Sequence, residues 1–477
     1  MRPDPTAYAI KFQQLVFGLA LLALGFLITG GVMRGTARGI VAAIAMIVGA
    51  ALILLLDRHY WMLCPLGFAA QGLIKPMGLE MAEIGCIAVI GTHFVRRTLR
   101  QGIGDTQFRP AVFLALPHFV WMAIAFSLNP PGIAAMGDTV IGSRFYIKVL
   151  LGFWAMMVLS IQKITEDDCR IIFRISLILG TLVLGRSLLG AAMVDEEKRT
   201  VVTLYQFLPA TALFYWLFAH FRFGVFFRFS WHFFVAGILT VATLYAGKRR
   251  AVFNVALFPL LRAFVTRTDR SKTMAAYLAA LIALVLLLFG QGRLYELPLP
   301  IQRGLSFLPA KWERRIAAIE GARDPFRDNV RSYAWVEVRK NPLFGRRGFA
   351  IPMQELNWVH YGGTTKDHEG HAIAGNWHNT WVGVMADFGI PGALWWGLFS
   401  ISLLVAGHIR LRQCAGGSYQ QTVVIYHYCG SILMILASHT SGHSALQPFQ
   451  WWPIYGLLLG ITPGLQSLNG RQALTGG

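Results

Sequence analysis

"RSKTMAAYLAALIALVLLLFGQGRLYELPLP", Arg270 to Pro300, is the stretch on which the fold turns. From Met274 to Gly290 it carries neither charge nor proline. A helix of about 20 apolar residues crosses a hydrocarbon core of about 30 Å. In lipid each backbone polar group must be satisfied within the span, so the run reads as a helix. After Gly290 the character changes at once to a polar, proline-bearing segment.

Working outward, the same pattern recurs. The chain has 477 residues, 55% hydrophobic and 14% charged, against about 25% charged in an average soluble domain. Mean hydropathy is +0.52. Apolar runs centre on 15–33, 39–56, 60–74, 79–95, 110–128, 145–162, 171–193, 201–220, 230–247, 250–265, 274–290, 379–407, 422–440 and 447–462. The run at 60–74 is short and reads as a span or as a re-entrant or interfacial piece. The expected fold is therefore all-α, a polytopic integral membrane protein with about 12–14 transmembrane helices. The first run has no small-residue cleavage site behind it and reads as a retained span.

One long hydrophilic segment interrupts the pattern, roughly Gln291 to Trp377, with several short helical patterns between its prolines. The chain thus divides into N-terminal helices at 1–290, a loop at 291–378 and C-terminal helices at 379–477. Five cysteines (Cys64, Cys86, Cys169, Cys414 and Cys429) lie in or beside apolar runs without metal spacing and read as packing residues. The net charge of +20 suits basic loops that fix topology and meet the anionic lipid bilayer. There is no compact basic domain, and nucleic acid is not an expected partner.

Placing the long loop outside leaves the inside turns rich in cations, among them Arg96, Arg97, Lys163, Arg170, Arg222 and Arg270. One outside turn breaks that rule. "AGKRRAVFNV" puts Lys248, Arg249 and Arg250 between two apolar runs. Snorkelling to outer phosphates is one reason for them, and an anionic substrate held at that face is the other.

Two further clusters share that side. In "RDNVRSYAWVEVRKNPLFGRRGF", Arg331 and Trp335 are four apart and lie on one helix face. Asn341-Pro342 ends that helix, and Gly345 and Gly348 mark the turn. In "DHEGHAIAGNWHNTWVGVMADFGIPGALWWG", His368, His371 and His378 precede a span. Their spacing does not match the His-Glu-x-x-His zinc pattern, so no metal or other cofactor is expected. Asn379 is suited to cap the following helix. Asp387 reads as a structural ion pair or hydrogen bond, and Gly389, Pro391 and Gly392 as a bend. Trp451 and Trp452 read as interfacial belt residues. No phosphate-binding Gly-rich loop is present. Arginine clusters instead suit a diphosphate gripped by guanidinium forks. A neutral imidazole suits proton abstraction from a hydroxyl.

The basic turn, the Arg-x-x-x-Trp helix ending in "NPLFGRRGF" and then "HNTWVGVMADFGIPGALWWG" resemble, in this order, the O-antigen ligase and O-antigen polymerase superfamily. "NPPGIAAMGDTVIGSRFYIKVLLGF", with Arg144 and Tyr146, is similar to a stretch of its exopolysaccharide polymerases. The resemblance covers roughly residues 125–405. Arg346-Arg347 stands where the family usually has Gly-x-Gly.

The resemblance implies a GT-C-like membrane glycosyltransferase without a metal, in a bacterial inner (cytoplasmic) membrane, with its active site in a long periplasmic loop. The implied donor is an undecaprenyl-pyrophosphate-linked glycan. The acceptor is a glycan or lipid A core, and protein O-glycosylation remains open beside polymerase and ligase. Arg250 (or Arg249) and Arg331 would bind pyrophosphate, and His378 would activate the acceptor. Lys248, Arg249, Asn379, Trp335, Arg144, Tyr146, His439 and His443 are the further substrate-binding candidates. A transporter or flippase of lipid-linked glycans is the reading from another class. It would call for internal symmetry, and no repeat is seen.

Overall fold

The computed structural model describes residues 57–71, 79–99, 109–129, 143–192, 208–227, 230–245, 249–348, 377, 379–438 and 446–462. Among these residues the chain is all-helical. A 3-10 turn at Asp57–Met62 leads into α1 (Leu63–Ala69), and α2 spans Met81–Leu99. A second 3-10 turn, Pro110–Ala115, runs into α3 (Leu116–Leu128). Then come α4 (Ser143–Ser160), α5 (Glu166–Ala192), α6 (Leu208–His220), α7 (Trp231–Tyr245), α8 (Arg249–Thr266) and α9 (Arg270–Gly290). The hydrophilic segment supplies α10 (Leu299–Leu305) and α11 (Arg314–Lys340), followed by α12 (Thr380–Gln413), α13 (Tyr419–Ala437) and α14 (Leu446–Gly460).

Three stretches are helical, long and apolar enough to cross a membrane: Pro110–Leu128, Arg270–Gly290 and Thr380–Gln413. Phe145–Ser160 and Trp231–Leu244 are apolar but shorter. The runs at 15–33 and 39–56 lie outside the described residues. The run at 60–74 contains only the short α1, in keeping with its length. Among the described residues of the hydrophilic segment, one long helix follows α10 where several short helical patterns were expected. α11 continues through Gly321 and Pro325 to Lys340. Its C-terminal half gains a tertiary partner, because Val330, Ala334 and Val338 pack on Trp377, Val382 and Ala386. Such packing supplies most helix stability in proteins and is invisible to a local window.

Local rules account for several helix ends. The Asn379 side chain accepts the Val382 N–H at 3.1 Å and caps α12. Ser418 does the same for α13 through the Gln421 N–H at 3.0 Å. Asn341 ends α11, since Pro342 cannot continue it.

Helix ends meet at two poles. At one, Ile164 exchanges backbone hydrogen bonds with Gly460 and Thr462, each 3.1 Å. Glu166 accepts the N–H groups of Tyr419 (2.6 Å) and Gln420 (3.0 Å), and Arg410 donates to the Leu458 and Leu459 carbonyls. At the other, the Thr380 N–H donates to the Ser438 carbonyl at 2.8 Å.

The core lies where α4 meets α14. A Cβ on Gly456 would stand 2.5 Å from the Met156 carbonyl oxygen, so only glycine permits that approach. Trp451 and Trp452 are a correction. They are fully buried, Trp451 stacked on Trp396 and Trp452 edge-on to Phe399, and do not form an interfacial belt. The close α4–α14 contact takes that helix into the bundle, which its composition alone does not reveal. Four of the cysteines are buried and Cys414 is partly so. Burial pushes the Cys414 thiol up to about 12, against the opposing pull of Arg410, so it packs as a neutral group.

Candidate functional site

The site is built around a break in α12. Gly389 adopts φ 76° and ψ −179° inside the helix, and Pro391 lacks an N–H. Such a break orphans backbone groups that must find partners. The turn after α11 provides them. The Arg346 N–H donates to the Ala386 carbonyl (2.8 Å), the Gly348 N–H to the Asp387 carbonyl (2.6 Å), and the Ile390 N–H to the Pro342 carbonyl (2.8 Å). The Phe388 carbonyl takes the Trp121 indole, and Trp121 stacks on Phe344 at 5.1 Å and 4°. The expected bend and the expected turn at Gly345 and Gly348 therefore fit into one another.

The Asp387 side chain is fully buried. Arg346 Nε lies 2.7 Å from its Oδ1, and the Trp377 indole N–H donates to the same oxygen at 3.2 Å. The guanidinium also sits over the Trp377 ring, 5.3 Å from its centroid. One carboxylate thus holds both ends of the intervening loop, Arg346 before it and Trp377 after it. Asp387 is the structural ion pair anticipated. Its partner is Arg346, the first of the Arg346-Arg347 pair in the turn after α11.

The candidates fall around this clasp as follows. Asn379 caps α12 directly beyond Trp377. Arg331 stands on α11 beside the Val330–Ala334 stripe that packs against Trp377. Its Nη1 pairs with Asp328 at 3.2 Å, an i,i+3 contact on its own helix. Trp335 is exposed. Tyr146, read as a glycan or headgroup ligand or equally as an anchor, has its hydroxyl against Gly348, occupying the place a Cβ would take, and its ring against Phe126 at 4.8 Å.

Arg249 and Arg250 form the first turn of α8 rather than a free turn. Arg249 Nη2 donates to Ser306 Oγ at 3.2 Å, and Phe253 stacks on Phe307 at 4.7 Å. The basic turn and the hydrophilic segment leading to Arg331 accordingly meet at one pole. Arg250 is within electrostatic range of the Tyr215 hydroxyl. His378, Lys248, His439 and His443 lie outside the described residues, as do His368 and His371. Arg144 falls in α4, but its side chain is not described.

Two features escaped the sequence. Lys148 is 1% exposed, with Glu80 at 3.4 Å and Glu83 at 3.7 Å. A lysine and a glutamate inside apolar runs were the available signal. The second is a cavity of about 580 Å³ reached by Asn254, Tyr215, His427, Ser431 and Gln450, with no Asp, Glu, Lys or Arg among its described lining residues. None of the described candidates lines it.

No family model matches the chain, and no curated protein matches it in sequence.

Proposed function

We propose that the chain is a polytopic membrane glycosyltransferase of the O-antigen ligase or polymerase type, GT-C-like and working at the periplasmic face of a bacterial inner membrane. Its donor is a glycan on undecaprenyl pyrophosphate, and its product is a surface polysaccharide. The observation that carries this reading is the Arg249–Ser306 contact. It joins the cationic start of α8 to the segment that leads into the Arg331 helix.

In this reading Arg250 and Arg331, with Arg249 and Lys248, grip the diphosphate through charge-assisted hydrogen bonds. His378 takes the proton of the acceptor hydroxyl. The acceptor oxygen bonds to the anomeric carbon as the bond to pyrophosphate breaks. The arginines stabilise the charge that develops on the leaving group. The clasp at Asp387 supports the reading because it holds Trp377 while Asn379 caps α12, and these two are the chain neighbours of His378.

The cavity favours one alternative, movement of a lipid-linked glycan without chemistry. The purified protein in liposomes with lipid-linked glycan separates the two. A longer or transferred glycan, with release of undecaprenyl pyrophosphate, supports the enzyme, while unchanged glycan crossing the bilayer sinks it. Glycans of a deletion strain then divide the enzyme class. Loss of all long polymer marks a polymerase, and polymer stranded on the carrier marks a ligase or protein glycosylase.

A further inference from the structure

At the opposite pole lies an arginine the proposed reaction does not use. Arg262 on α8 is 6% exposed, and its Nε and Nη1 are buried without a hydrogen-bond partner. A guanidinium held out of water without a counter-charge is expensive. Membrane-anchoring arginines avoid that cost by reaching out to the interface. Arg270 is an example, being exposed and donating to the Phe264 carbonyl at 3.0 Å. Arg262 does not reach out.

Its surroundings hold both signs of charge. Arg222, in the turn after α6, and Asp269, in the turn after α8, are the ionisable groups besides Cys429 that act on it most. No ion pair joins Arg262 to Asp269, whose Oδ2 is itself buried and unpartnered. His220 is within range of Arg262 and is held by Thr422 Oγ1 at 3.0 Å. Lys272 reaches the same turn, its Nζ 3.6 Å from the Cβ position of Gly224. Arg222 and Lys272 are exposed. Arg262 is buried and Arg222 and Lys272 are exposed, while neither nearby carboxylate forms an ion pair with Arg262: Asp269 leaves it unpaired, and Glu166, which acts on His220, is engaged by the Tyr419 and Gln420 N–H groups.

We propose that Arg262, with Arg222 and Lys272, forms an anion site for a phosphate group, carried either by a lipid headgroup or by free phosphate. Paired guanidinium and ammonium groups suit phosphate oxygens, and the loop pattern puts this pole at the inner leaflet, where anionic lipid is met. The site is independent of the glycosyl-transfer reading.

Thermal unfolding of the full chain in phosphatidylcholine nanodiscs tests it. Inorganic phosphate, or phosphatidylglycerol in the disc, is compared with chloride at equal ionic strength. Binding to the folded state should raise the midpoint by a few degrees. A rise with phosphate alone assigns the free ion, and a rise with phosphatidylglycerol alone assigns the headgroup. Arg262→Leu should abolish the rise and, without anion, unfold no earlier than the parent, because an unpaired buried charge is gone. Arg222→Gln with Lys272→Gln, both at exposed positions, should diminish the rise. The proposal is overturned by no rise with either source, by an undiminished rise in these variants, or by an anion-free Arg262→Leu protein that unfolds well below the parent.

Discussion

The Cβ position of Gly389 falls on the backbone of Leu343, where the turn after α11 enters the break in α12. Gly389 is also at φ 76°, a region L side chains avoid. Gly389→Ala should therefore cost more than about 2 kcal/mol in strain and displaced backbone. Gly91 on α2 meets nothing within 4 Å, and Gly91→Ala should stabilise by about 0.5–1 kcal/mol. Thermal unfolding of the two variants side by side checks the contrast.

The Asp387 clasp should be most sensitive to losing one charge. Arg346→Met leaves a buried carboxylate and should cost about 3–5 kcal/mol, whereas Arg346→Met with Asp387→Leu should recover much of that. Trp377 fluorescence should shift in both, because its indole loses a carboxylate or a guanidinium. Equal losses in the single and double variants would count against an ion pair.

Lys148 serves two carboxylates, so the consequences of cutting it are asymmetric. Lys148→Met strands Glu80 and Glu83 together and should cost about 3 kcal/mol or more. Glu83→Gln leaves the lysine with Glu80 and should cost about 1 kcal/mol. Denaturation midpoints in detergent decide the order.

The Arg249–Ser306 contact fixes relative sidedness. Cysteines introduced at 249 and at 306, in separate variants, should react with an impermeant maleimide from the same side of sealed spheroplasts. Labelling of one before and the other only after permeabilisation would break both the contact and the site built on it.

For the proposed reaction, Arg331→Lys keeps the charge and loses the two-pronged fork. It should lose most transfer activity while still reaching the membrane. His378→Ala should fall by about 10²–10⁴ in rate, as expected for a lost general base. Normal transfer by the purified His378→Ala protein would falsify its assignment.

Helical periodicity and end signals were legible in the chain because they are local. The run from Met274 to Gly290 announces α9, Asn379 announces its own cap, Asn341-Pro342 announces the end of α11, and Gly389 with Pro391 announces the bend. Each depends on residues within about one or two turns. The continuous α11 was not legible, because it is held by a partner helix rather than by its own propensities.

What the sequence by itself determined is an all-helical chain with apolar runs, a basic turn and one hydrophilic segment rich in arginine and histidine. Which groups meet was decided by tertiary structure alone. Nothing local tells Asp387 that Arg346 and Trp377 will share its oxygen, or Lys148 that two glutamates await it. Nor does any local pattern bury Trp451 and Trp452 or leave the Nε and Nη1 of Arg262 without a hydrogen-bond partner. Hydropathy says that a helix is apolar all round and so does not say which face packs on which neighbour. That choice is made by close approaches such as Gly456 on Met156 and by the need of each buried polar group to find a partner.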